Sequence, residues 1–302
     1  MRTRREWFPW TVLCALILIP AGSQAADPEP WELEAGLLAG YHSNFFFRGN
    51  EPAPEDNLLW AYFQGEKEVR AGKGKWAFEF GVDAFQNQDI GEADHVGLRL
   101  ETGYKRGPTR ATAELVHKPS QVFSEDGDGT FFDQSGVELE VRHSLRYGLW
   151  VGGSVEYEQW DFDAQQDGRD SDGIGVSLSL RYPIGERYGV RGTVLYEDRN
   201  ADVARFDRSA PGFSIALEGQ PSDRMQIFAR YKLRDREYDG ATAGDRNFGR
   251  EDTIQDLVLN FRYRIGEKWG VRNDNFYRDG ESTRVDRNYD GYRIYVGAFL
   301  EF

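Results

Sequence analysis

The chain has 302 residues, with 37 Lys and Arg against 51 Asp and Glu, a formal net charge of −14, and a single cysteine. An acidic balance of this size excludes a nucleic-acid partner, whose phosphates call for the opposite sign, and one cysteine excludes a disulfide framework and a thiolate metal site. No apolar run reaches the eighteen or so residues that a membrane helix needs, so any crossing of a bilayer falls to strands.

At the amino end Arg2, Arg4 and Arg5 precede an apolar run from Trp10 to Ile19 and then Pro20 to Ala25, with Ser23 and Ala25 as the small residues of a cleavage site. This order predicts a cleaved secretory signal over 1–25, exported by a Sec-type route, and a single domain over 26–302. The run is too short to span as a helix, and Leu13 stands before Cys14 where a lipoprotein signal needs a small residue. Cys14 departs with the signal. Removal of its three arginines and one glutamate leaves 34 basic and 50 acidic residues, a charge of −16.

From Trp31 onward, apolar and polar residues alternate at the period of a strand. Fourteen strands are predicted, near 31–41, 57–69, 75–86, 95–105, 109–118, 134–147, 149–160, 172–182, 188–198, 210–219, 224–238, 252–264, 269–279 and 289–302. Long polar segments alternate with short turns near Gly72, Gly107, Gly148, Gly185, Pro221 and Gly266. That asymmetry predicts an all-β fold, a transmembrane antiparallel up-and-down β-barrel of about fourteen strands, twelve being the alternative count. Both termini then lie on the periplasmic side, and the few residues before the first strand leave no room for a plug domain. The long loops Ser43 to Asp56 and Pro119 to Asp133 fall outside, the latter long enough to fold inward and constrict a lumen.

The fourth strand sets Val96, Leu98, Leu100, Thr102 and Tyr104 against Arg99, Glu101 and Lys105. The eighth sets Ile174, Val176, Leu178, Leu180 and Tyr182 against Gly173, Gly175, Ser177, Ser179 and Arg181. A soluble β-sandwich also alternates, but strands of ten or more residues, with Trp31, Tyr41, Trp76, Tyr104, Tyr147, Tyr188 and Trp269 near their ends, match the girdles of a membrane barrel. Leu58 to Phe63 alone is apolar on both faces. A repeat supports the hairpin assignment: RYPIGERYGV, Arg181 to Val190, returns as RYRIGEKWGV, Arg262 to Val271.

The last strand puts Tyr292, Ile294, Val296, Ala298, Leu300 and Phe302 on one face and Arg293, Gly297 and Glu301 on the other. Here the chain resembles the bacterial outer-membrane β-barrel proteins, whose closing strand ends in an aromatic residue. The resemblance implies residence in the outer membrane of a Gram-negative cell, in contact with lipid and lipopolysaccharide. It also implies that Tyr292, Ile294, Val296, Leu300 and Phe302 are an assembly signal for the barrel assembly machinery. FARYKLRD at 228–235 and FRYRIG at 261–266 resemble the narrow porins for acidic oligosaccharides, whose lumens carry arginine tracks; the likeness covers about four strands, and the strand count here exceeds that family's. GYHSNFFFRG at 40–49 resembles the opening of some uncharacterised outer-membrane barrels and implies no activity.

With the apolar face outward, the other face lines the lumen. Its cations are Arg99, Arg142 and Arg146 in the first half, then Arg181, Arg191, Arg230, Lys232, Arg234, Arg262, Arg264, Arg272, Arg278 and Arg293. Its acids include Glu101, Glu138, Glu140, Glu156 and Glu158, together with Glu32, Glu34, Glu79, Asp83, Glu114, Glu197, Glu218, Asp256 and Asp274. Swapping the faces would set Arg and Lys in hydrocarbon at about 2–4 kcal/mol each. Two arrangements fit this lining: a cationic track on the last four strands that attracts acidic solutes across a field sharpened by facing acids, or cross-strand Arg–Glu pairs that fill the interior. The expected function is an outer-membrane pore for passive diffusion of small hydrophilic solutes, acidic ones included, with ion selectivity open.

A rim hydrolase and an export outlet are the alternatives. The histidines are His42, His95, His117 and His143. His143 and His117 fall on the apolar face, which leaves His95 near Asp83, Asp89 and Asp94, and His42 beside Ser43. None of these matches the barrel lipases, deacylases or proteases, and the chain is read as no enzyme and as using no cofactor. Asp126-Gly127-Asp128-Gly129 is too short for a calcium-hand loop and reads as a solvated turn, without a metal. Glu125, Asp133, Asp161, Asp163, Asp167, Asp170 and Asp172 extend the acidic loops, which face lipopolysaccharide and its bridging cations. An export outlet would usually carry periplasmic helical repeats, and the chain has none.

Overall fold

The computed structural model describes residues 30–44, 55–123, 130–162, 168–284 and 287–302. Its strands are β1 (Glu32–His42), β2 (Asp56–Ala71), β3 (Gly74–Asn87), β4 (His95–Arg106), β5 (Thr109–Phe123), β6 (Thr130–Ser144), β7 (Trp150–Phe162), β8 (Ser171–Ile184), β9 (Tyr188–Ala201), β10 (Arg208–Ser222), β11 (Met225–Glu237), β12 (Glu251–Arg264), β13 (Trp269–Ser282) and β14 (Tyr289–Glu301). Each pairs antiparallel with the next, and β14 closes on β1 through nine register positions from Glu34↔Glu301 to His42↔Arg293. The fold is therefore a closed fourteen-stranded up-and-down barrel. Among the described residues the other elements are short 3-10 turns, and none forms a plug. The predicted signal over 1–25, most of the first long loop, Asp126-Gly127-Asp128-Gly129, Asp163 and Asp167 lie outside the described residues.

Strands of 11 to 16 residues, rising about 3.3 Å per residue at a tilt near 40°, give a wall roughly 28–40 Å tall. That exceeds the apolar band of about 25 Å that such barrels present to lipid. Fourteen strands spaced about 4.8 Å apart at that tilt enclose a ring about 28 Å across between backbones.

Several boundaries depart from the expected ones. β5 runs on past 118 and β6 begins before 134, because the register shifts between Lys118 and Gln121 and then resumes. Pro119, with no N–H for the ladder, sits inside this shift. β6 ends at Ser144 rather than 147, since Arg146–Gly148 is a 3-10 turn with Tyr147 at φ 60 and Gly148 at φ 75. Pro221 lies in β10 rather than in the turn, which falls at Asp223 and Arg224.

Period two then sorts every side chain. Val96, Leu178 and Val194, each 59% exposed, point outward, as do Leu139, Val155 and Ile215. A continuous apolar exterior of this kind is unsuited to water and matched to acyl chains. Val176→Arg, in the middle of this belt, is expected to destabilise the barrel by about 2–4 kcal/mol, read by urea unfolding from lipid vesicles. A cost below about 1 kcal/mol would mean that this face does not meet hydrocarbon.

Candidate functional site

The inward face carries the charges, and pairing register fixes which of them meet. Every predicted lumen cation except Arg146 occupies an inward position; Arg146 is exposed in the turn after β6, outside the wall, because the strand stops two residues short of it. The five acids Glu101, Glu138, Glu140, Glu156 and Glu158 are all inward, on β4, β6 and β7. The signs are segregated: carboxylates crowd β3 to β7, guanidinium groups crowd β8 to β14.

Within the basic half, ion pairs form a ladder around the wall. Lys232 donates to Glu197 at 2.9 Å and Arg234 bridges Glu197 (3.4 Å) and Asp256 (3.0 Å), while Arg278 holds Asp256 through two bonds of 2.6 and 3.0 Å. Nearer the turn end, Arg181 and Arg191 share Glu218 at 3.1 and 3.2 Å. Arg262 bonds Glu34 and, at 2.6 Å, Glu301, which also accepts from Arg264 at 2.8 Å. Arg272 is held by Asp274 at 2.7 Å. The repeated decapeptide explains part of this, since its two copies place Arg181 opposite Arg191 and Arg262 opposite Arg272, each a like-charge pair that needs a carboxylate from elsewhere. In the acidic half, Arg110 contacts Glu101 (3.3 Å) and Glu79 (3.6 Å), and Arg142 holds Glu140.

The stretch Leu58 to Phe63 acquires its meaning here. Leu58, Trp60 and Tyr62 point inward, and Tyr62 joins Leu38 and Phe299 in a buried apolar cluster against which Trp60 and Tyr295 pack. Glycine makes the approach feasible, because the Tyr62 ring fills the space where a Cβ on Gly36 would stand and the Tyr295 ring does the same at Gly40. Polar ends are satisfied: Tyr62 donates to Glu34 at 2.6 Å and the Trp60 indole to Asp83 at 2.8 Å. The Arg272 guanidinium lies 4.8 Å from the Trp60 ring and 4.9 Å from that of Tyr62. By strand order this cluster stands across from β8, where small inward side chains bond sideways, Ser177 with Ser154 at 2.9 Å and Ser179 with Thr193 at 2.8 Å.

Among the described residues, two of the cavities in the remaining space lie at different levels. The outer one, about 780 Å³, is bounded by residues including Trp60, Asp83, Glu114, Glu156, Glu158, Arg230, Arg278, Arg293 and Tyr295. The one at the turn end, about 580 Å³, is bounded by Gln64, Arg181, Glu218, Arg262, Arg272 and Asp274 among others. They share no lining residue, and the aromatic cluster lies between their levels. Sequence reading missed this layer. Its one signal was the loss of alternation at Leu58 to Phe63.

The four histidines lie on four different strands. His117 and His143 are outward and bond Ser135 and Thr109, each at 2.9 Å. His42 bonds the Tyr295 hydroxyl at 2.7 Å, whereas Ser43 points the other way and accepts the backbone N–H of Tyr292. His95 stacks on Phe85 and meets the Ala93 carbonyl oxygen at 2.8 Å. Of the acids predicted near it, Asp83 and Asp94 are close enough to act on its charge, and they also accept from the Trp60 indole and from the backbone N–H of Asn87. Among the described residues no group of three or more His, Cys, Asp or Glu is arranged to hold a metal.

No protein-family model matches the sequence, and no curated protein does. Among solved structures the chain is similar to a loop-deletion mutant of OmpT, an outer membrane protein of Vibrio cholerae, at 11% identity and a TM-score of 0.52, covering 90% of this chain and 99% of that one. It is also similar to outer-membrane expressed OmpT of Vibrio cholerae (12% identity, TM-score 0.48, 92% and 100% covered). A third is OpdK of Pseudomonas aeruginosa with vanillate (8% identity, TM-score 0.44, 90% and 99% covered). At these identities the likeness is one of fold. The closed ring of fourteen strands, oily outside and charged within, is the fold of the outer-membrane β-barrels.

Proposed function

We propose that this chain is an outer-membrane pore through which small hydrophilic solutes, acidic ones included, diffuse passively. The observation that carries the reading is the partition of the wall: hydrocarbon-matched side chains outside, and ionised groups around cavities of about 780 and 580 Å³ inside. Charged groups so placed hold water and ions along the axis, which a scaffold would have no need to do. Cations outnumber acids along the ladder from Lys232 to Arg278, which favours acidic solutes on that side. The reading assigns no catalytic residue and needs no cofactor, and the outward row Tyr292, Ile294, Val296, Leu300 and Phe302 of the closing strand serves in it as the assembly signal.

Planar bilayers test it. Purified protein is expected to give open steps of steady size, with transient blockades on addition of an acidic oligosaccharide. A protein that is folded, as judged by heat-modifiable gel mobility, yet electrically silent would overturn the reading in favour of a rim enzyme or a scaffold.

A further inference from the structure

The outer cavity is richer in carboxylates on one wall and in cations on the other, with Arg99 and Lys118 also on the acidic side and Glu197 on the basic one. Glu114 and Glu156 face inward from β5 and β7, and among the described residues no cation comes within 4 Å of either carboxylate. Glu158 beside them is bonded by the neutral amide of Gln134, which leaves its charge in place. On the far wall Arg230 faces inward from β11 with no carboxylate within the same distance among the described residues. It stands beside the ladder Lys232–Glu197–Arg234–Asp256–Arg278, where three cations meet two anions. In a closed ring of fourteen strands, β5 to β7 lie nearly across from β11 to β13. Trp60, Phe276 and Tyr295 are among the other residues that line it.

We propose that this cavity is a binding site for compact zwitterions, solutes with a carboxylate at one end and an ammonium group at the other, as in free amino acids and short peptides. The carboxylate lies toward Arg230 and Arg278, the ammonium toward Glu114 and Glu156. An anion gains at one wall and is repelled by the other, and a cation meets the reverse. A dipolar solute gains at both, and the field between the walls fixes its orientation. A volume of about 780 Å³ falls in the range of about 300–1,000 Å³ typical of small-molecule sites. The proposal rests on the pore reading and deepens it by naming a solute class.

The test uses the full chain in proteoliposomes and three solutes of nearly equal size: alanyl-alanine as zwitterion, N-acetyl-alanyl-alanine as anion and alanyl-alanine amide as cation. Isosmotic swelling is expected to be several-fold faster for the zwitterion than for either isostere. Glu156→Gln should shift preference toward the anion and Arg230→Gln toward the cation, both with heat-modifiable mobility retained. Permeation that follows net charge alone in the unaltered protein overturns the proposal, as does a ranking of the three solutes that neither variant changes. Conductance recorded in parallel separates the failures: open steps with no zwitterion preference sink this inference alone, and silence with no swelling sinks the pore reading as well. The solute series on the unaltered chain decides the question even where a variant does not fold.

Discussion

Asp256→Ala is expected to destabilise the barrel by about 3–5 kcal/mol, because it removes the buried anion that two half-buried guanidinium groups share. The Asp256 side chain is 6% exposed and accepts from both Arg234 and Arg278. Taking away Asp256 leaves the ladder with three cations and one anion, so the reversal potential in a salt gradient should also move toward anion preference. The exposed pair Glu68–Lys75, with side chains 40% and 42% exposed, is the matched control, since Glu68→Ala should cost at most about 1 kcal/mol. Denaturant unfolding in detergent compares the two. Equal costs would mean that the ladder is solvated like a surface pair.

Removal of the aromatic layer should change conduction more than any single charge does. In the double variant Trp60→Ala/Tyr62→Ala, the inward cluster of β1, β2 and β14 loses its two largest members, and the single-channel conductance is expected to rise well above that of the unaltered pore. Each truncation also costs about 3–5 kcal/mol as a large aromatic is replaced by a methyl group. Trp60 gives up its bond to Asp83 and its stacking on Phe85 at 5.4 Å, and Tyr62 its bond to Glu34. An unchanged conductance in a correctly folded variant would place the narrowest point elsewhere.

Much of the architecture was legible because strand alternation is a local property. A residue's face depends on its parity within its own strand, so Arg99, Glu156 and Arg293 could be put on the inward side without a partner in view. The turns were legible for the same reason, since Gly72, Gly107 and Gly185 take φ near +60, a conformation glycine adopts freely. Arg146 was misplaced because parity was continued past the point where the chain leaves the ladder. Leu58 to Phe63 stayed unassigned because alternation carries no information when both faces are apolar; only the glycines of β1 opposite Tyr62 and Tyr295 show which rings fold inward.

The ion pairs belong to a different level. Arg262 meets Glu34 across 228 positions of sequence because closure of β14 on β1 brings the two ends of the chain together. Whether cations pair with acids or face them across water was therefore undecided by residue order, and the barrel answers with both: a paired ladder on β9 to β13, and Glu114 and Glu156 on β5 and β7 with no cation within 4 Å among the described residues. By itself the sequence determined the all-β barrel of about fourteen strands and the face of nearly every side chain, the latter because it follows from a two-residue period. Tertiary structure alone decided which charges touch and that Tyr62, Leu38 and Phe299 pack together inside the barrel, because those depend on the register of closure and on distances across the ring.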